Sequence, residues 1–160
     1  MRTISTPEEM QNLMRECMDV TNHYIDLVNE RFCLHLDHMK ILFSLRSGTA
    51  GKALIGRNTI LYNPTLLREN PETFLRQTAG HEVIHHAAYS KYGWNITSHG
   101  FEWKNMMMMM GLEPRRCHNY DTSHVTSKVG KLINKQANNI IKSEHGVMRT
   151  FGIGKVIEFD

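Results

Sequence analysis

Thr78-Ala79-Gly80-His81-Glu82-Val83-Ile84-His85-His86-Ala87-Ala88-Tyr89 is the stretch on which the fold of this chain turns. Upstream, Asn70-Pro71-Glu72 combines a capping side chain with a proline suited to a first helical position, which predicts a helix from Pro71 to about Tyr89. Lys91-Tyr92-Gly93-Trp94-Asn95 then breaks it. Inside that helix His81 and His85 stand four residues apart, so their imidazoles share one face and can meet on a single zinc ion. Glu82, directly after the first histidine, is placed to act as a general base toward a water at the same ion. Phe74, Leu75, Ala79, Val83, Ile84, Ala87 and Ala88 supply apolar surface to bury the helix around the pair.

A catalytic zinc takes three protein ligands and keeps one position open. The extended HExxHxxGxxH arrangement does not provide the third, because Ala88 and Lys91 occupy its glycine and histidine positions. His99 is the leading candidate. It opens a second helix, read from about Ser98 to Met110, which can fold back antiparallel after the turn at Gly93. Glu102, one turn further, is the alternative and would give a different class of zinc site. His86 points about 100° away from its neighbour on a helix and is read as a non-ligand. His23, His35, His38, His124 and His145 are read as surface or packing residues. In the second helix His99, Trp103, Met106, Met107 and Met110 fall on one stripe, so ligand and packing belong to one element, with Trp103 as a wedge. Gly111, followed by Pro114, ends it.

Working outward, Thr6-Pro7-Glu8-Glu9 is a capping-box signature, and Met10, Leu13, Met14, Cys17, Val20, Tyr24, Leu27 and Val28 recur at helical steps behind it. A long amphipathic helix ending near 29–31 follows. Residues 39–45, 49–56 and 58–62 read as short strands of a small antiparallel or mixed sheet, closed by Asn63-Pro64. The class is therefore α+β. Residues 125–141 carry a helical period, and 146–160 read as a final strand or a tail.

The 160-residue length suits one domain, and 41% hydrophobic residues exclude a disordered or collagen-like chain. No apolar run approaches the roughly 20 residues needed to cross a bilayer, and the start MRTISTPEEM has no signal-peptide core, so a cytoplasmic or otherwise intracellular protein with no membrane partner is expected. Cys17, Cys33 and Cys117 are three scattered thiols with no CxxC pair, while histidines number ten; a metal here must rely on imidazole. The net charge of +3 is unevenly spread: residues 1–114 carry 11 Lys/Arg against 12 Asp/Glu, and residues 115–149 carry 7 against 2. Arg115, Arg116, Lys128, Lys131, Lys135, Lys142 and Arg149 make either a solvated face or a stripe for phosphate backbones.

Several spaced motifs together resemble the SprT-like zinc metalloproteases, the family of bacterial SprT proteins and eukaryotic Spartan proteases. They are Ala50-Gly51-Lys52-Ala53, Ile60-x-Tyr62-Asn63-Pro64-x-Leu66, Thr78-x-x-His81-Glu82-Val83-Ile84-His85 and His99-Gly100-x-x-Trp103-x-x-Met106-x-x-x-Met110-Gly111, then Pro114 and Cys117-His118-x-Tyr120. The resemblance spans about residues 5–121. It implies a zincin-like metalloprotease core with a long N-terminal helix, a small three-stranded sheet, the HExxH helix and a following helix carrying the third ligand. It also implies Zn²⁺ held by His81, His85 and His99, and Glu82 as the catalytic residue, which favours His99 over Glu102. The expected organisation is a protease domain over 1–120 and a basic extension over 121–160 packed on it. Spartan-type members cut proteins crosslinked to DNA, so protein substrates and single-stranded or damaged DNA are the expected partners. Many members carry a cysteine-rich zinc ribbon after the protease; this chain has no cysteine after Cys117. Arg115, Arg116, Lys128, Lys131 and Lys135 are the candidates to contact DNA in its place. His118 and Tyr120 match the family's tail motif and are candidates for a cleft or oxyanion contact, or for packing. The competing reading is a nucleic-acid-binding or protein-binding module whose zinc is structural.

Overall fold

A computed structural model describes residues 2–123, residue 125 and the backbone of 158–159. Helix α1 (Pro7–Phe32) starts where the capping box puts it: Glu9 N–H donates to Thr6 Oγ1 at 3.1 Å and Thr6 N–H donates back to Glu9 Oε2 at 2.9 Å. Ser5 N–H, donating to the same Oε2 at 2.7 Å, and Thr6 N–H together hold the Glu9 carboxyl below its ordinary range. The buried face of α1 runs Met10, Leu13, Met14, Cys17, Thr21, Ile25, Val28 and Phe32. Thr21 sits in this stripe despite its hydroxyl because that group is satisfied, donating to Cys17 O at 2.7 Å and meeting the Tyr62 hydroxyl at 2.9 Å.

Three short strands follow, β1 (Lys40–Leu42), β2 (Gly51–Leu54) and β3 (Thr59–Tyr62). The sheet is mixed. β3 lies between the others, parallel to β1 with Ile41 opposite Ile60, and antiparallel to β2 with Gly51 opposite Tyr62. A two-residue strand β4 (Glu158–Phe159) pairs antiparallel with the outer side of β2 at Ala53 and Leu54. Ile41, Phe43, Ile60 and Tyr62 belong to the core, and Ala53 is fully buried beside them.

Asn63, fully buried, caps helix α2 (Pro64–Glu69) by accepting from Thr65 N–H and Leu66 N–H. Its amide nitrogen donates to Ser47 O and Thr49 O at 2.9 and 3.1 Å. One side chain thus both starts a helix and holds the loop before β2.

The helix predicted from Pro71 is present and longer. Helix α3 (Pro71–Thr73), a π turn (Phe74–Thr78) and α4 (Ala79–Tyr92) form one run that ends on Gly93 at φ +79°. A π turn holds an extra residue, so side chains before and after it are out of α-helical phase. One of its carbonyls, Arg76 O, receives the Tyr24 hydroxyl at 2.6 Å, which ties α1 to the turn. Helix α5 (Phe101–Met109) is shorter at its start than predicted, because Thr97–Gly100 closes a turn of its own, with Gly100 N–H on Thr97 O at 2.9 Å. It ends through Gly111 at φ +71°, as the sequence indicated. In the methionine run Met106 and Met107 are buried, whereas Met108 and Met109 face outward.

Of the segment 121–160, Val125 joins the core and β4 pairs with β2. The helical period read over 125–141 and the basic residues Lys128, Lys131, Lys135, Lys142 and Arg149 lie outside the described residues. Among the described residues no helix is long and apolar enough to cross a membrane.

His86 gives the fold a pH dependence. It turns away from His85 toward β3, with Nε2 3.3 Å from Thr59 O, and burial pushes it down from its ordinary 6.5 to about 4, the carbonyl opposing only in part. Between those values the unfolded chain binds a proton at this position and the folded chain does not. Stability therefore falls as pH drops through that window, by about 3 kcal/mol at its lower end. Denaturant midpoints measured at pH 7 and pH 5 for wild type and His86→Gln check this: the wild type loses more on acidification than the variant, since protonation elsewhere is common to both.

Candidate metal centre

Helix α4 carries His81 and His85 on one face. His85 and Glu82 are buried, and His81 is half-buried at the edge of a cleft. The turn before α5 brings His99 to them, its Nδ1 3.3 Å from Ser98 Oγ and its Nε2 turned inward. The three Nε2 atoms form an equilateral triangle: His81 to His85, His85 to His99 and His99 to His81 are each 3.2 Å. The three edges cannot all be hydrogen bonds, because each Nε2 of a neutral ring is either a donor or an acceptor and at least one edge must join two of the same kind. They fit a shared cation instead. Two nitrogens each about 2.0–2.1 Å from one zinc at the tetrahedral angle stand about 3.3–3.4 Å apart, close to the observed edges. Among the described residues this is the group positioned to hold a metal ion, and Glu102 does not join it.

Trp103 on α5 supports the triangle from behind. It is fully buried, with ring centroids 4.7 Å from His81, 4.7 Å from His99 and 5.3 Å from His85, the last stacked at 22°. The residue read as a wedge thus touches all three candidate ligands, which locks their rings as a metal site requires.

A cleft of about 660 Å³ reaches the triangle at His81 and is lined there by Glu82 as well, while His85 and His99 are not part of its lining. One wall is Gly48–Gly51, the floor is His81, Glu82 and the π-turn residues Arg76–Thr78, and the far wall is the segment from Arg115 to Tyr120. His118 and Tyr120 both line it. Here His118 Nε2–H donates to Gly48 O at 2.7 Å while Nδ1 accepts from Tyr120 N–H at 3.2 Å, so its two nitrogens latch one wall to the other. Tyr120 stacks on His118 at 4.6 Å and shares a 2.8 Å hydrogen bond with Thr78 Oγ1; burial pushes its phenol up. Arg115 and Arg116 are exposed on the same wall, Arg115 Nε lying 2.8 Å from Glu113 Oε2. Among the surface histidines, His23 and His35 are exposed and His38 pairs with Asp26 at 2.9 Å; His124 and His145 lie outside the described residues.

Two residues of the quoted motifs have roles that the sequence did not reveal. Asn63 looked like a strand stop and in fact anchors the cleft wall through Ser47 and Thr49. Gly51 reads as part of the Ala50-Gly51-Lys52-Ala53 motif without a role, and its bare α-carbon faces Glu82.

Comparison with known proteins agrees with this geometry. The SprT-like family matches residues 15–142. A Protein SprT of Pseudomonas putida is 36% identical over 116 residues, covering 72% of this chain and 66% of the relative. A Protein SprT of Pseudomonas aeruginosa is 36% identical over 115 residues, covering 71% and 66%. One from another Pseudomonas putida strain reaches 45% over 83 residues, covering 51% of each. The chain thus spans just under two thirds of the length of the first two relatives. No solved structure matches it.

Proposed function

Because this chain belongs to the SprT-like family, we propose that it is a zinc-dependent endopeptidase acting on protein substrates, with DNA-bound proteins as the class to test first. The observation that carries the reading is the 3.2 Å triangle of Nε2 atoms with the buried Glu82 beside it, His81 and Glu82 both lining a cleft. A purely structural site is normally four-ligand and closed. Here three ligands are on offer, and the cleft that His81 and Glu82 line, about 660 Å³, has room for a peptide segment.

His81, His85 and His99 would hold the metal. Bound zinc supplies a lowered water pKa, toward about 7, and polarisation of the scissile carbonyl. The rest falls to the chain. Glu82 takes the proton of the attacking water at its carboxylate and returns it to the leaving amine. Trp103 holds the three rings in register, and the Gly48–Gly51 wall, short of side chains, lets an extended peptide lie close to the carboxylate. Arg115 and Arg116 at the cleft rim, with the resemblance to Spartan-type proteases, support substrates held on DNA.

Incubating the zinc-loaded protein with a DNA-bound basic protein, with and without single-stranded DNA and with a chelator, tests this. Cleavage that rises with DNA and stops with the chelator is expected. Cleavage indifferent to DNA would leave the peptidase and remove the DNA-bound substrate class.

A further inference from the structure

We propose that Gly51 is a positioning residue for Glu82: the absent side chain on β2 is the seat that holds the carboxylate arm beside the three-histidine centre. The kinetic consequence rests on the peptidase reading above; the seat rests on geometry alone.

A β-carbon built on Gly51 would lie 2.5 Å from Glu82 Oε1, 2.7 Å from Cγ and 2.8 Å from Cδ. Ordinary carbon contacts are about 3.5–4.0 Å. The three nearest atoms all belong to the Glu82 side chain, so that arm is what the glycine first accommodates. Backbone conformation does not call for glycine either: among the described glycines, positive φ occurs at Gly93 and Gly111. Gly51 is buried in β2 opposite Tyr62, and Ala50 O beside it receives Asn63 N–H at 2.8 Å, so the strand is pinned and cannot easily retreat. The softest neighbour is the glutamate. A methyl group at position 51 therefore moves Glu82 first, while His81, His85 and His99, which supply none of its three nearest atoms, keep their triangle.

The crystal structure and steady-state kinetics of zinc-loaded Gly51→Ala test the claim. Expected are unchanged zinc content, a Glu82 carboxylate displaced by about 1 Å or more with the three Nε2 atoms in place, and kcat lower by about 100-fold with KM little changed. In a Glu82→Gln background the same substitution adds no further loss, because the two act through one group. If Gly51→Ala alone folds poorly, Glu82→Ala removes the three clashing atoms, and the double variant regains the wild-type unfolding midpoint. A Glu82 carboxylate that stays in place, retained kcat, a loss that multiplies in the Glu82→Gln background, or a double variant as unstable as the single one overturns the proposal. A wild type that cleaves nothing removes the peptidase reading, and the crystal structure and the double variant's midpoint then decide the seat by themselves.

Discussion

If the chain is the zinc peptidase proposed above, replacing Glu82 by glutamine is expected to lower peptide hydrolysis by about 10²–10⁴-fold, the range of a lost general base, while zinc content stays at the wild-type level. The amide keeps the shape of the carboxylate, so the seat against Gly51 stays filled and α4 keeps its packing. What is lost is the capacity to accept a proton. None of the three Nε2 atoms belongs to Glu82, so the triangle is expected to keep its capacity for a metal. Rate and metal content measured on one preparation separate the two effects. A glutamine variant that turns over at the wild-type rate would remove Glu82 from the chemistry, and one that loses its metal would make it a structural support.

His99→Ala has the second large effect, on the metal itself. It leaves two nitrogens, both on α4, and opens one corner of the triangle. Loss of a residue that only orients a ligand costs about 10–100-fold in metal affinity, and loss of the ligand costs more. Elemental analysis after dialysis is expected to find His99→Ala depleted of zinc and Glu102→Ala loaded. Since bound metal stabilises the state that binds it, the unfolding midpoint of His99→Ala should also cease to respond to added zinc. Equal zinc retention in wild type and His99→Ala, with loss in Glu102→Ala, would transfer the third position to the glutamate.

Much of this was legible because it is local. Thr6, Pro7 and Glu9 specify the start of α1 within four residues, and the structure contains both hydrogen bonds of the capping box. Likewise, His81 and His85 share a face through helix geometry alone. The parts that resisted reading depend on what lies across the fold. The π turn at Phe74–Thr78 breaks the α-helical period that sequence patterns follow, and it is fastened by Tyr24 from a distant helix. His99 was read as the opening of α5 but sits in the turn before it, since Gly100 closes onto Thr97. Nothing near Gly51 in the chain shows that its missing side chain faces Glu82, 31 positions later. The stripe of α1 missed Thr21 because its burial depends on the Tyr62 hydroxyl.

The most direct test is cleavage of an unfolded protein substrate by the purified chain in its zinc-loaded form, after chelation, and after zinc is restored. The account predicts fragments in the first state, none in the second, recovery in the third, and none in any state for Glu82→Gln. Cleavage that persists in fully metal-free protein, or a fully zinc-loaded protein that cuts no substrate, would contradict it.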